Sequence, residues 1–223
     1  MERKIKIYLA GDSTVTHKHE TPYAGWGQML GEFFNKNISI CNQAESGRST
    51  RSFIREGRFD NIKKLIKTGD YLFIQFGHND QKQDDRYTDP YTTYSENLKT
   101  FIKMSRDVGA IPILVTPVFR RLFCDAGILY DTHVDYAKAV RKVAIDENVV
   151  LIDLHKKSGD LLEELGVVAS KDIFLHIKAG IYDHSPNGIE DDTHFSEYGA
   201  RVIAKLIVDE IENKIPDLAD YLN

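Results

Sequence analysis

The sequence contains few cysteines and no long apolar run. Only two of its 223 residues are cysteine. Cys41 and Cys124 do not form a CxxC pair, which argues against a disulfide framework or a zinc site. Both lie in or beside apolar segments, so we expect buried free thiols. Because no segment approaches the roughly 18 consecutive apolar residues that a membrane span needs, no transmembrane helix is predicted.

The N-terminal segment also lacks an apolar stretch long enough for a secretory signal, and no small-residue cleavage site follows it. A cytoplasmic protein is therefore expected. The formal net charge is -5 and no basic run stands out, so neither nucleic acid nor a membrane is an expected partner. No Walker loop or GxGxxG follows a predicted strand, so a nucleotide cofactor is not expected either.

Short apolar runs alternate with amphipathic stretches along the whole chain, a pattern typical of a parallel α/β fold. Strands are predicted at residues 4–10, 38–41, 71–76, 111–115 and 149–154. Helices are predicted at residues 25–34, 59–67, 94–108, 133–147, 161–165 and 197–211, with Gly109 at the end of the third and Ser196 capping the last. No repeat or Pro/Gly linker divides the chain. We therefore predict one domain, residues 1–223, with a five-stranded parallel sheet and helices on both faces.

Three polar motifs directly follow predicted strands, and ligands of such sheets bind at the carboxyl ends of the strands. The first strand leads into Gly11-Asp12-Ser13-Thr14, where the glycine permits a tight turn and Ser13 is a candidate nucleophile. The second leads to Gly47, which is either an oxyanion N–H donor or a loop glycine at positive φ. The third leads to Asn79, which is either an oxyanion donor or the start of an Asx-turn. His78 is predicted to shape this turn without a chemical role.

A fourth motif, Asp191-Asp192-Thr193-His194, precedes the last predicted helix. If it forms a helical turn, the spacing of three places Asp191 and His194 on one face. The carboxylate would then orient the imidazole while the other ring nitrogen takes a proton from a serine. Asp192 is a competing orienter, but its side chain is expected to point elsewhere. The alternative for His194 is a capping or surface role.

These four segments resemble the four blocks of the SGNH (GDSL-like) hydrolases. Ser13, Gly47, Asn79 and His194 match the four residues that give the family its name, and Asp191 matches the acid of its DxxH motif. The resemblance implies a three-layer, flavodoxin-like fold and carboxylester hydrolysis without metal or other cofactor. It also implies an oxyanion hole made by the N–H groups of Ser13 and Gly47 and by the Asn79 side chain.

The segments GDST, SGRSTRSFI, FGHND and DDTHF are similar to the rhamnogalacturonan acetylesterase branch, and the similarity extends from Lys4 to about Lys205. It implies removal of acetyl groups from pectin backbone sugars. Without a signal peptide, the substrates would be imported oligosaccharides. The alternatives are the same chemistry on acetylated xylan or small acyl esters, and a non-catalytic carbohydrate-binding protein on this fold. A homodimer is the general expectation for a soluble enzyme, although no segment marks an interface.

Several side chains near the motifs are candidates for sugar binding. Tyr23 and Trp26 could stack on a sugar ring or pack in the core. Arg48 and Arg51 could pair with a galacturonate carboxylate or form structural ion pairs. His184 is a further candidate, in a loop that precedes the fourth motif.

A functional metal is not expected. The HxH pair His17 and His19 is isolated, and no HExxH motif is present. The acidic loop (Asp80, Asp84, Asp85 and Asp89) lacks the spacing and the glycine of an EF-hand. Residues 117–130 mix apolar and basic side chains and could form a lid, a part of the pocket or a contact surface.

Overall fold

The computed structural model describes residues 3–19 and 22–223. Its main sheet has five parallel strands in the order β2-β1-β3-β4-β5. They are β1 (Ile5–Gly11), β2 (Ile38–Asn42), β3 (Tyr71–Gln75), β4 (Ile111–Val115) and β5 (Val150–Ile152). The predicted five-stranded parallel sheet is therefore confirmed.

Helices cover both faces of this sheet. They are α1 (Trp26–Met29), α2 (Thr50–Arg55), α3 (Arg58–Leu65), α4 (Ser95–Asp107), α5 (Val134–Asp146), α6 (Leu154–Ala169), α7 (Glu197–Lys214) and α8 (Pro216–Ala219). Short 3₁₀ helices span Leu30–Phe33 and Ser170–Asp172, and a π-helical turn spans Pro90–Tyr94. One hydrophobic cluster joins the sheet to α1, α6 and α7, and the other joins it to α2, α3, α4 and α5.

The strand sequences explain this three-layer arrangement. In β1, Ile7 and Leu9 pack toward α1, α6 and α7, whereas Tyr8 and Ala10 pack toward α2, α3, α4 and α5. Alternate residues of a strand point to opposite faces, so a strand covered on both sides must be apolar throughout. All five residues of β3 are buried accordingly.

Several elements differ from the sequence prediction. α2 was not predicted, although Ser49 and Ser52 form a reciprocal capping box at its start. α6 begins at Leu154 rather than residue 161, because Asp153 caps it by accepting the N–H of Lys156. An antiparallel pair, β6 (Phe174–Ile177) and β7 (Ile189–Phe195), was also missed. The sequence of β7, IEDDTHF, is too polar to show the alternation of a half-buried strand.

Both cysteines are free thiols, but only Cys41 is partly buried and Cys124 is exposed. The prediction of burial is therefore wrong for Cys124. This residue lies in a surface turn in which its N–H donates to the Ile128 carbonyl (2.9 Å) and its carbonyl accepts from Gly127 (2.8 Å). Within residues 3–19 and 22–223, no helix combines the length and the apolar character of a membrane span.

Candidate active site

The candidate site lies where the chain changes direction across the sheet. From β1 the chain moves to β2 at one side, and it then returns to β3 at the other side of β1. Such a switch point leaves a crevice beyond the carboxyl ends of the two central strands. Ser13 follows β1, and Asn79 follows β3. The fold therefore brings two of the predicted motifs to the same crevice.

A buried hydrogen-bond network holds the loop that carries Ser13. The Asp12 carboxylate accepts from the N–H (3.0 Å) and the hydroxyl (2.8 Å) of Thr14. Gln75 donates to the Thr14 hydroxyl (2.7 Å) and accepts from the Trp26 indole (2.7 Å). Trp26 is fully buried. It therefore belongs to the core, which agrees with the packing alternative.

Gly11 is required for close packing rather than for a turn. It is the last residue of β1 and does not have a positive φ. A Cβ at this position would lie 2.5 Å from Val15 Cγ2 and 2.9 Å from the Gln75 carbonyl oxygen. The loop can therefore fold back tightly onto the strand only if the residue before Asp12 has no side chain.

Ser13, His194 and Asp191 form a continuous hydrogen-bonded chain. Ser13 Oγ lies 2.9 Å from His194 Nε2, and His194 Nδ1 lies 2.7 Å from Asp191 Oδ2. The carboxylate fixes the tautomer with the proton on Nδ1, so Nε2 accepts from the serine hydroxyl. This arrangement can activate a serine as a nucleophile.

The Asp191–His194 segment does not form the helical turn that would place the two side chains on one helix face. It lies in β7, where Phe195 pairs with Phe174 but Asp191 pairs with Leu175. The intervening residues therefore bulge from the ladder. Asp191 Oδ1 accepts the N–H groups of Thr193 (2.8 Å) and His194 (2.9 Å). This hydrogen-bonded turn, rather than a helical turn, brings the side chains of Asp191 and His194 together.

Asp192 points away from His194 and anchors the bulge. Its carboxylate lies 2.7 Å from both Arg121 Nη1 and His176 Nε2. The Arg121 N–H also donates to the Asp192 carbonyl (2.9 Å). Arg121 is buried and further donates to Ser170 (3.0 Å). The segment 117–130 therefore supports the loop that carries Asp191 and His194, at least through Arg121.

The two predicted oxyanion motifs contact each other. Asn79 Nδ2 donates one hydrogen to the Arg48 carbonyl (3.1 Å), which leaves the second hydrogen of the amide for another acceptor. Gly47 has a φ of 79°, a conformation that favours glycine. Among the residues that the structure describes, neither the Gly47 N–H nor the Ser13 N–H has a hydrogen-bond acceptor. Three donors are thus available at the crevice.

Arg86 joins these motifs and was not identified from the sequence. Its Nη1 lies 3.4 Å from Asn79 Oδ1 and 3.5 Å from the Gly47 carbonyl oxygen. Asp84 holds the guanidinium, with Oδ1 2.9 Å from Nε. An arginine in a polar loop has no distinctive sequence pattern, so only its position in the fold reveals this contact.

The acidic loop has structural roles. Asp80 is buried and accepts from the N–H (2.9 Å) and hydroxyl (2.6 Å) of Thr50 and from the Thr88 hydroxyl (2.8 Å). Asp84 and Asp85 pair with arginines, and Asp89 caps the π-helical turn. Across residues 3–19 and 22–223, no cluster of three or more His, Cys, Asp or Glu side chains could hold a metal ion.

Burial and hydrogen bonding shift the pKa values of several groups at the site. Burial alone would raise the pKa of Asp191, but hydrogen bonds from the His194 side chain and backbone outweigh it and lower the pKa from 3.8 to about 2. Asp191 is therefore ionised at neutral pH. Burial raises the pKa of Asp12. Burial also lowers the pKa of His78 well below 6.5, so this ring, which packs 4.2 Å from His133, is neutral.

The four predicted sugar-binding residues lie in different environments. Tyr23 is partly buried, and its ring meets His194 edge-on with centroids 6.0 Å apart. Arg48 pairs with Glu56 (2.8 Å), which agrees with the structural alternative. Arg51 and His184 are exposed, and His184 lies beside Tyr182.

Comparison with known proteins identifies the family. The model of the GDSL-like lipase/acylhydrolase family matches residues 7–207. The chain belongs to this family. It is an ester-hydrolysing enzyme with the α/β fold of the SGNH hydrolases.

Individual relatives agree with this assignment. The chain is 43% identical to the rhamnogalacturonan acetylesterase RhgT of Bacillus subtilis, over all of this chain and 96% of that protein. The crystal structure of YxiM from the same species superposes with a TM-score of 0.81 at 28% identity, over 95% of this chain and 57% of YxiM. An acetylxylan esterase of Geobacillus stearothermophilus shares the fold, with a TM-score of 0.65 at 16% identity over 95% of both chains.

Proposed function

We propose that this enzyme removes acetyl groups from rhamnogalacturonan oligosaccharides. The observation that carries the proposal is the hydrogen-bonded chain Ser13–His194–Asp191 at the switch point. The substrate class is supported by full-length similarity to a rhamnogalacturonan acetylesterase.

In the proposed mechanism, Ser13 Oγ attacks the acetyl carbonyl carbon while His194 Nε2 takes the serine proton. Asp191 stabilises the resulting imidazolium. The negative charge on the carbonyl oxygen is held by the N–H groups of Ser13 and Gly47 and by the free amide hydrogen of Asn79. The carbon–oxygen bond to the sugar then breaks, and the sugar oxygen takes the proton from His194.

Hydrolysis of the acetyl-enzyme completes the cycle. His194 takes a proton from water, and the water oxygen attacks the acetyl carbon. Cleavage of the bond to Ser13 Oγ then releases acetate, and the serine regains its proton from His194. This sequence regenerates the free enzyme without an added reactant other than water.

We further propose that residues 1–223 form a single hydrolase domain that acts in the cytoplasm on oligosaccharides from pectin degradation. Free thiols at Cys41 and Cys124 are compatible with a reducing compartment. Cell fractionation would test the location, and light scattering would test the predicted homodimer.

A substrate panel tests the proposed activity. Acetate release is measured with acetylated rhamnogalacturonan oligosaccharides, acetylated xylooligosaccharides and p-nitrophenyl acetate. The proposal predicts the highest kcat/KM for the rhamnogalacturonan oligosaccharides. A higher kcat/KM for the xylooligosaccharides would move the assignment to xylan. The absence of acetate release from all three would favour a carbohydrate-binding role.

A further inference from the structure

A cavity lined by tyrosine rings opens beside the candidate triad. Its volume is about 310 Å³, at the lower end of the range of ligand pockets, roughly 300–1,000 Å³. Residues 196–198 form one wall of it, and they begin two positions after His194 in the chain. Tyr23 also lines the cavity, and its ring meets His194 edge-on with the centroids 6.0 Å apart. The cavity therefore begins next to the reacting groups.

The lining of the cavity is suited to a sugar ring. Tyr23, Tyr182 and Tyr198 line it together with Ile177. Tyr198 is 59% exposed, so its ring is accessible at the start of α7 and is not packed in the core. A pyranose ring has C–H groups on its faces and hydroxyl groups at its edges. A tyrosine matches both, because its ring is apolar and carries one polar tip.

Several polar groups of the lining have no partner among the described residues. Gln28 Oε1 accepts the Lys18 N–H (2.9 Å), and the Gln28 NH₂ group has no acceptor in the part of the chain that the structure describes. The hydroxyls of the three cavity tyrosines likewise have no hydrogen-bond partner there, unlike those of Tyr91, Tyr94 and Tyr136. These amide and hydroxyl groups can therefore bond to the hydroxyls of a ligand.

The charges that line the cavity balance each other. Lys18 contributes a positive charge and Glu197 a negative charge. Glu197 also pairs with Arg201 (3.1 Å), and the Lys18 ammonium donates to the Ser46 hydroxyl. The lining therefore carries no net charge that would select an acidic or a basic ligand, and shape and hydrogen bonding decide what binds.

We propose that this cavity is a subsite for the sugar residue next to the acetylated one, so that the enzyme acts better on oligosaccharides than on single sugars. This inference rests on the proposed function. The acetylated sugar occupies the crevice at Ser13, and the neighbouring ring packs against Tyr182 and Tyr198 while its hydroxyls bond to Gln28. Binding energy from this second ring holds the ester in place at Ser13 and so raises kcat/KM. Because the subsite has no net charge, it selects for chain length and not for the charge of the sugar.

The test compares two substrates that carry the same ester, acetylated rhamnogalacturonan oligosaccharides and the acetylated monosaccharide prepared from them. The quantity measured is the ratio of kcat/KM for the oligosaccharide to kcat/KM for the monosaccharide. A change in the folded fraction or in the triad affects both substrates alike and leaves this ratio unchanged. For the parent, contacts with two aromatic rings should give a ratio on the order of 10–100.

Variants of the two outer tyrosines test the source of this ratio. Tyr182→Ala and Tyr198→Ala should each lower it by about 3–10-fold, the effect of losing one aromatic contact. Tyr198→Phe keeps the ring and should retain most of the ratio. Tyr91→Ala is the matched control, because Tyr91 is an exposed tyrosine that does not line the cavity, and it should keep the ratio of the parent.

Two results would overturn the inference. One is a ratio near or below one for the parent. The other is a ratio that stays the same in Tyr182→Ala and Tyr198→Ala, or that falls equally in Tyr91→Ala.

Failure of the proposed function gives a different result. If the parent deacetylates neither rhamnogalacturonan substrate, that function is wrong, and the ratio is measured with acetylated xylooligosaccharides and acetylated xylose. A lower ratio in Tyr198→Ala would then support the subsite on another substrate. The absence of acetate release from every oligosaccharide would overturn both proposals.

Discussion

At the scale of single residues, the site depends on side chains that each make more than one defined contact. Asp191 uses one oxygen to hold its own turn and the other to orient His194. Asn79 Nδ2 donates one hydrogen to the Arg48 carbonyl, and Asn79 Oδ1 accepts a hydrogen bond from the Arg86 guanidinium. Such residues fix the geometry of a reaction centre before substrate arrives.

Removal of the Asn79 amide should lower kcat strongly. For Asn79→Ala we expect a loss on the order of 100–1000-fold, with a smaller change in KM. Because Arg86 contacts the Asn79 oxygen and the Gly47 carbonyl, it is a positioning residue. Arg86→Ala should therefore cost on the order of 10-fold in kcat.

A double-mutant cycle shows whether Arg86 acts by positioning Asn79 or has an independent effect on kcat. If Arg86 acts through Asn79, the double variant should be about as slow as Asn79→Ala alone. Fully additive losses would contradict the positioning role. Arg55→Ala, which removes an exposed ion pair with Asp85 in the same region, should leave kcat unchanged.

The depressed pKa of Asp191 predicts a dependence of stability on pH. Its carboxylate stabilises the folded state fully above about pH 4, the range of an unfolded aspartate, and this contribution is lost as the pH falls toward the folded value of about 2. The free energy of unfolding of the parent, relative to Asp191→Asn, should therefore decrease by on the order of 2 kcal/mol between pH 5 and pH 2. Denaturant titrations at each pH measure this difference in the free energy of unfolding. The control Asp160→Asn, at an exposed ion pair, should differ from the parent by an amount that changes far less with pH. A difference between the parent and Asp191→Asn that does not depend on pH would contradict the lowered pKa of Asp191.

At the scale of elements, Asp80 connects the loop after β3 to the start of α2. Its Oδ1 accepts from Thr50 and Thr88, so the two loops that carry Gly47 and Asn79 cannot separate without breaking these bonds. Burial raises the pKa of Asp80 to about 6. The aspartate of the FGHND segment is thus explained by its structural role.

Loss of this connection should affect both stability and catalysis. Asp80→Ala leaves buried hydroxyl and N–H donors without an acceptor, so we expect a loss of at least ~2 kcal/mol in the free energy of unfolding and a lower kcat for the folded fraction. Asp85→Ala in the same loop removes an exposed ion pair and should change stability by less than about 1 kcal/mol. Equal stability of Asp80→Ala and the parent in chemical denaturation would contradict this role.

The bulge in β7 shows the limit of a spacing argument. A separation of three residues correctly brings Asp191 and His194 together, but the structure uses a bulged strand instead of a helical turn. The supports of the bulge, Arg121 and His176, are distant in sequence from Asp192. No local pattern can indicate contacts of that kind.

At the scale of the whole molecule, the sequence predicts the central sheet because its strands are buried on both faces and hence continuously apolar. It also predicts the order of the first three motifs, since each of them follows a strand end. It does not predict β6 and β7, whose sequences are polar or short. The side chains that join the motifs, Arg86 and Asp80, become visible only when the fold brings the loops together.

The most direct test of the account is whether acetyl transfer passes through Ser13. The parent and Ser13→Ala are each mixed with acetylated rhamnogalacturonan oligosaccharides and quenched in acid, and their peptides are analysed by mass spectrometry. Steady-state acetate release is measured for both proteins in parallel. The account predicts one acetyl group on the Ser13 peptide of the parent, none in the variant, and a loss of acetate release on the order of 10⁴-fold or more. Acetate release by Ser13→Ala at a rate close to that of the parent would contradict it.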